Sequence, residues 1–461
     1  MNKKQLFEHY MLAGHGRAIK LLDGCEEEFR ELVLYGCLND ISYNTQVEGS
    51  RGIFLYDLAL QYDDYEYFLI PVMEKFLSDR VNADWSLICQ LCDFINCFAD
   101  DAGVESAKKA IDKKYEELYS LIMSMKFGAR AKKVTQCYEY IAITIMQRGE
   151  FDRTLQILKD MGAYFIRRRH TEDIELRGLF LWFSELLKDE YGESFLETQL
   201  EENGRHSKEI ARFKRVMTAR DRKGSDARFK VPTAYDLIEK ADKVSISKKD
   251  AFRFGKKADE SEKLKLAEAV LTEESLDKKA NLLYAFTSRD NAFPMDARTL
   301  IEYAKSEKQK LRNAAFDALV PIKADCVHDF AMEMLKTRFA GDSVSESHTF
   351  IRALEMLICN YREDDKEFIL RQLDKITIDQ DDSSGWHDLI MDILLIAHET
   401  WFPDEFYTFI YEKSRCSSCR LSAIERLRDR SLLTNEMISE CMWDCYMDIR
   451  SEVKKVNQSK K

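Results

Sequence analysis

The sequence predicts an all-helical protein, an α-solenoid in which antiparallel helical hairpins stack one on the next. Three observations predict it. Four apolar stretches in the C-terminal third close on Leu319, Leu357, Leu395 and Leu427, at steps of 38, 38 and 32 residues, the size of one hairpin per unit. Only 5 prolines and 17 glycines occur in 461 residues, so long stretches carry no helix breaker. Apolar side chains recur at three- and four-residue spacing rather than at the alternation of strands.

Taken in order, the first 200 residues read as helices of less regular length. Residues 26–41 place Phe29, Leu32, Val33, Tyr35, Gly36 and Cys37 on one side, and residues 65–77 do the same with Tyr67, Phe68, Ile70, Val72, Met73 and Phe76. Leu87, Ile88, Leu91, Cys92, Phe94, Ile95 and Phe98 mark a third helix, and residues 134–146 a fourth. Gly149 reads as the stop of that fourth helix, and residues 151–165 as its returning partner. From Arg205 to Lys230 the composition shifts: ten Lys and Arg stand against three acids, a net +7. Residues 218–227 lack large apolar side chains and contain Gly224, so the chain is expected to divide into a helical domain at 1–216, a basic linker at 217–231 and a repeat domain at 232–461. Pro232 is expected to open a helix at Thr233 or Ala234. Helix pairs are then expected over 278–305, 308–338, 345–375, 384–413 and 416–449.

The run Asn313-Ala314-Ala315-Phe316-Asp317-Ala318-Leu319-Val320-Pro321 has a small-residue-rich first helix, and here the chain resembles HEAT or armadillo-type repeat proteins over roughly 170 residues. That family's proline inside the first helix is missing; Pro321 sits at the helix end. The pair at 134–165 resembles a tetratricopeptide hairpin without the Trp and Leu-Gly positions of that pattern. The HEAT-type resemblance implies a partner bound along a concave face.

The formal net charge of −12 opposes a general nucleic-acid or anionic-membrane binder, although it leaves room for a local basic strip. No apolar run reaches membrane-spanning length, and residues 1–9 carry positive charge without a following apolar core, so no membrane segment and no signal peptide are expected. Twelve cysteines in a chain this long, without a disulfide-like framework, fit reduced thiols and a cytoplasmic location.

Four constellations could carry chemistry. The polar run at 39–51, with the segment Gly14-His15-Gly16-Arg17, could bring His15, Arg17, Asn44, Gln46, Glu48 and Arg51 to one ligand-binding groove. Arg17 and Arg51 would clamp a carboxylate or phosphate, or His15 and Glu48 would exchange protons. The same residues could instead form an internal network that caps helices. Cys416 and Cys419, followed by Cys441 and Cys445, have a spacing that could hold zinc, against the alternative of four packed thiols; no other cofactor is expected. Arg167, Arg168, Arg169, Arg212, Lys214, Arg215, Arg220, Arg222 and Lys223 could track a phosphate backbone, or be a solvated linker pairing with acidic faces of the chain. Residues 379–385 suggest a calcium loop, but the glycine comes one place late and Ile390 occupies the position of the bidentate glutamate.

No nucleophile triad, phosphate loop or dinucleotide fingerprint is present. The expected role is therefore a non-catalytic scaffold that binds a protein or peptide, with exposed aromatics such as Trp386, Trp401, Phe402 and Tyr407 as anchors, while each of these rings taken singly suits the inter-repeat core slightly better. Nucleic-acid binding through residues 205–257 is the alternative. A third reading, a DNA-base glycosylase of HEAT-like build, rests on architecture alone.

Overall fold

Periodic apolar faces and side-chain caps produce the helices of the described residues. The computed structural model describes residues 2–24, 26–79, 84–126, 128–168, 178, 180–218, 231–242, 246–287, 291–337, 348–374, 387, 389–391, 393–394 and 403–459. Among the described residues there is no strand.

The helices run α1 (Lys3–Ala13), α2 (Arg17–Leu22), α3 (Glu26–Leu38), α4 (Thr45–Glu48), α5 (Gly52–Ala59), α6 (Glu66–Ser78), α7 (Trp85–Asp100), α8 (Glu105–Ser124), α9 (Ala129–Met146) and α10 (Phe151–Arg167). They continue with α11 (Leu181–Tyr191), α12 (Glu193–His206), α13 (Lys208–Thr218), α14 (Ala234–Ala241), α15 (Lys248–Lys257), α16 (Glu260–Thr272), α17 (Leu276–Leu283), α18 (Ala297–Ala304), α19 (Gln309–Leu319) and α20 (Asp325–Thr337). The last six are α21 (His348–Cys359), α22 (Lys366–Leu373), α23 (Asp404–Lys413), α24 (Ser417–Asp429), α25 (Asn435–Cys441) and α26 (Met447–Ser459).

Local chemistry sets many of the ends. Asn2 and Thr233 each form a capping box, with Gln5 and Asp236, which satisfies orphan N–H groups at the starts of α1 and α14. Gly149, at φ +77°, supplies the left-handed turn after α9 that an L side chain adopts only at a cost.

The chain divides into two compact units. Unit 1 comprises residues 1–224, 415–418 and 432–461; unit 2 comprises 225–414 and 419–431. The division at 224/225 falls inside the stretch expected as the linker. Residues 432–461 depart from expectation: the sequence reading carries them with the C-terminal repeats, and the structure groups them with the N-terminal helices.

In unit 1, α7 packs on α5, α6, α8 and α9, and α10 packs on α13. The core is rich in rings, including Phe7, Phe29, Phe54, Phe68, Phe76, Phe94, Phe98, Tyr138 and Phe165, all fully buried. Helix α25 packs on α2, and Met437, Ile438, Cys441, Cys445, Ile449 and Val453 of the C-terminal segment are buried. Arg450 Nη2 donates to Asp57 Oδ2 of α5 at 2.6 Å.

Unit 2 is built from neighbours along the chain: α18 packs on α19, α20 on α21, α17 on α19, and α19 on α21. Leu319, Leu357 and Leu427 are buried, as their spacing requires of core positions; Leu395 lies outside the described residues. The alanines of α19 contribute Ala315 and Ala318 to this core.

The tightest approach in unit 1 is at Gly16, where an added Cβ would stand 1.8 Å from the carbonyl oxygen of Glu440. Gly16→Ala should therefore lower the urea unfolding free energy by roughly 3 kcal/mol, the upper range for overpacking. Gly24→Ala meets no atom within 4 Å and carries only its φ of +71°, so it should cost about 1–2 kcal/mol.

Candidate functional site: a buried polar junction in unit 1

Residues 39–51 connect α3 to α5 and fold around one carboxylate. Glu48 Oε1 accepts the backbone N–H groups of Tyr43 at 2.8 Å and Asn44 at 3.2 Å, together with Arg51 Nη2 at 2.8 Å. Glu48 Oε2 accepts both the N–H and the Oγ of Ser417, at 2.8 and 2.6 Å. The Glu48 and Arg51 side chains are both fully buried. The Arg51 guanidinium also donates to the carbonyl of Arg415 at 3.3 Å and to Cys445 Sγ. A charge pair removed from water needs most of its remaining hydrogen-bonding capacity met. Here Tyr43, Asn44, Arg415, Ser417 and Cys445 meet it, except that the Nε–H of Arg51 is buried with no acceptor among the described residues.

The Gly14–Arg17 turn joins the same junction. The N–H of Cys445 donates to the carbonyl of Gly14 at 2.8 Å. Gly14 has φ +64°, and a Cβ there would lie 2.6 Å from Cys445 Sγ and 2.9 Å from Arg51 Cζ. His15 is buried; its Nδ1 accepts the N–H of Arg17 at 3.1 Å, and its ring lies 5.0 Å from that of Tyr10. Arg17 grips Glu440 with two prongs, Nε to Oε1 at 2.6 Å and Nη2 to Oε2 at 3.1 Å, and its Nη1 donates to Tyr10 Oη at 2.6 Å.

The structure thus brings His15, Arg17, Glu48 and Arg51 to one neighbourhood. Each arginine expected as a clamp for an outside anion already faces a carboxylate of the chain itself. Asn44 is exposed, and the side chain of Gln46 lies outside the described residues. Glu440 and Ser417, which complete the junction, carry no local signal in the sequence; they lie 423 and 369 residues from the groups they bind.

Helix α7 anchors the same loop from below. Gln90 Nε2 donates to the carbonyls of Gly36 at 3.0 Å and Asn39 at 2.7 Å, and its Oε1 accepts the N–H of Ile41 at 3.3 Å. One turn further along, Asp93 accepts from Ser50 Oγ and, at 2.9 and 2.8 Å, from Tyr140 Oη. Burial raises the Asp93 carboxyl to about 6, against the downward pull of the Ser50 and Tyr140 hydrogen bonds. Gly52 makes room for this contact, since a Cβ there would stand 2.5 Å from Asp93 Cβ.

The basic set separates into different roles. Arg168 is buried, and its Nη2 donates to the carbonyls of Ile122 and Met125 at 2.9 and 2.8 Å, capping the end of α8. Arg212 is buried on α13, and Lys214 Nζ pairs with Glu201 Oε2 at 2.5 Å. Arg167 and Arg215 are exposed. Arg169, Arg220, Arg222 and Lys223 lie outside the described residues.

Cys416, Cys419, Cys441 and Cys445 are all buried. Cys445 Sγ faces Arg51, and among the described residues Cys441 and Cys445 fall in no group of possible metal ligands. In unit 2, Cys419 Sγ lies 3.8 Å from His387 Nδ1 and 3.7 Å from Met391 Sδ. The calcium-like stretch 379–385 lies outside the described residues, as do Trp386, Trp401 and Phe402. Tyr407, read from sequence either as an exposed anchor or as core, is fully buried, with the Arg430 guanidinium 5.0 Å from its ring centroid. Its position on α23 between Phe406 and Ile410 puts it in the core of unit 2.

Comparison with protein-family models, curated proteins and solved structures finds no match for this chain.

Two outcomes follow from the junction. Glu48→Ala leaves the Arg51 charge buried without its carboxylate and should cost about 3–5 kcal/mol in urea unfolding, whereas Ser417→Ala removes one hydroxyl donor and should cost about 1–3 kcal/mol. Asp93 reports on pH. Its raised folded value favours the neutral acid in the fold, so its stabilising contribution is complete below about pH 4 and is lost as the pH rises through about 6. By pH 7.5 the loss amounts to about 3 kcal/mol. Asp93→Asn should therefore flatten the pH dependence of unfolding between pH 4 and 7; an unchanged slope would contradict this assignment.

Proposed function

We propose that the protein is a non-catalytic helical-repeat scaffold that binds a protein or peptide partner. In this reading the helices of unit 2 are stacked antiparallel hairpins of HEAT or armadillo type. Support comes from contact order along the chain: the larger helix–helix contacts of unit 2 join helices one to three places apart, as nearest-neighbour stacking requires. The helix pairs α19–α20 and α21–α22 also fall inside the intervals spaced by the leucine recurrence.

One observation carries the binding role. Among the described residues of unit 2, six large apolar side chains stand exposed, and five of them, Tyr235, Phe252, Leu264, Leu271 and Leu276, lie on the four consecutive helices α14–α17. Scattered exposed apolar residues need no explanation, but their concentration at the first helices of a repeat unit marks a surface that a partner would cover. No large apolar side chain of the described helices α18–α23 is exposed, so the partner surface is assigned to the beginning of unit 2.

Selection of a random displayed-peptide library on the full-length chain tests this reading. Enriched sequences are expected, and the triple change Tyr235→Ser, Leu264→Ser, Leu271→Ser should weaken them at least about tenfold, the effect of losing more than one anchor side chain. A selection that enriches nothing, or yields binders indifferent to these changes, removes the proposal.

A further inference from the structure

Helix α15 buries Ala251, Phe254 and Gly255 and packs on the turn at Tyr284–Phe286. Its opposite face holds Lys249, Phe252, Arg253, Lys256 and Lys257, the i, i+3, i+4, i+7, i+8 series of one helical stripe. Phe252 is 60% exposed at the middle of that stripe, and Lys256 Nζ lies 5.7 Å from its ring centroid. The single acid of the helix is bound chiefly outside the stripe, although Arg253 also acts on it electrostatically. Asp250 accepts from Lys240 of α14 and from Ser247 Oγ, and these bonds hold its carboxyl below the ordinary range. The result is a basic stripe around an exposed ring on a chain of net charge −12.

We infer that this face of α15 is the docking strip for an acidic peptide segment of a partner protein, one whose apolar side chain covers Phe252 while its carboxylates meet the exposed Lys256 and Lys257. The inference rests on the scaffold reading above and names its partner's chemistry. Charge complementarity selects the occupant: an exposed ring ringed by cations favours an apolar residue flanked by acids. The strip is about 15 Å long, which matches a short segment rather than a polymer track. A single-stranded nucleic acid would use several rings in succession and a continuous basic path. Here the strip has one ring and lies on a single helix of 10 residues.

The test uses the full chain and a fluorescein-labelled peptide of Glu-Glu-Phe-Leu blocks, followed by anisotropy. Controls are the same peptide with Gln for Glu and a single-stranded deoxythymidine oligonucleotide. The acidic peptide should bind, the Gln peptide should bind at least about tenfold more weakly, and raised salt should weaken the complex. Phe252→Ala, an exposed site that leaves the core intact, should cost about tenfold, and Lys256→Glu with Lys257→Glu at least about thirtyfold. Circular dichroism of the variants confirms folding. No binding, equal binding by these variants, tighter binding of the oligonucleotide, or self-association of the chain through the same residues would each overturn the inference. Library binders of neutral composition that ignore the α15 variants would overturn it while leaving the scaffold reading intact.

Discussion

Unit 1 depends on the buried pair of Glu48 and Arg51. Removing both charges from water costs several kcal/mol per ion before any return, so the pair can exist only where most of the remaining bonds are supplied. Here the Nε–H of Arg51 goes without an acceptor among the described residues. Tyr43, Asn44 and Ser417 supply N–H groups, Ser417 adds a hydroxyl, and the carbonyl of Arg415 takes one guanidinium proton. These donors and acceptors come from stretches more than 360 residues apart in the chain. The pair is therefore satisfied only when residues 39–51 and 415–418 are held together, which makes the requirement a selector of one arrangement. Gly14 and Gly16 complete it by steric absence, since no side chain fits where the backbones of residues 440–445 approach.

Unit 2 is held by different means. Its helices are capped locally by Thr233, Ser247, Asp259, Ser275 and Asp296, each accepting an N–H two or three residues on. Asn360 ties the loop after α19 to the end of α21, accepting the N–H of Ala324 at 2.8 Å and donating to the carbonyl of Ile322 at 3.0 Å. His328 lies between Asp329 and Asp365 at 3.0 and 2.9 Å. Short-range bonds of this kind complete each helix against its neighbours and leave the outer faces open to vary. That is why a stripe such as the one on α15 can carry lysines and an exposed phenylalanine at no cost to the core.

The polar cluster shows how a sequence reading can find the right residues and leave their role undecided. An Arg beside a Glu three positions away, in a polar run between apolar helices, looks the same whether it awaits an anion or has already captured one. The deciding groups, Ser417 and Glu440, are ordinary polar residues in their own neighbourhoods. Arg168 and Arg212 illustrate the same point for charge runs. Counted along the chain they add to a basic patch, yet Arg168 caps α8 and Arg212 is buried. Tyr407 reads from sequence as either anchor or core, because aromatic rings serve both and spacing alone does not separate them; its burial makes it core.

By itself the sequence determined the helical content and the positions of many helices, because backbone hydrogen bonds, caps and three-to-four-residue periodicity act within a few residues. Thr233 before α14, Gly149 after α9 and the buried leucines 319, 357 and 427 were all legible for that reason. Only the tertiary structure decided that residues 432–461 belong with the first helices and that the Glu48 carboxylate is spent inside the fold. Both outcomes turn on how two distant stretches meet, and the free energy of that meeting is set by mutual burial and by exact complementarity of donors and acceptors, which no local pattern encodes.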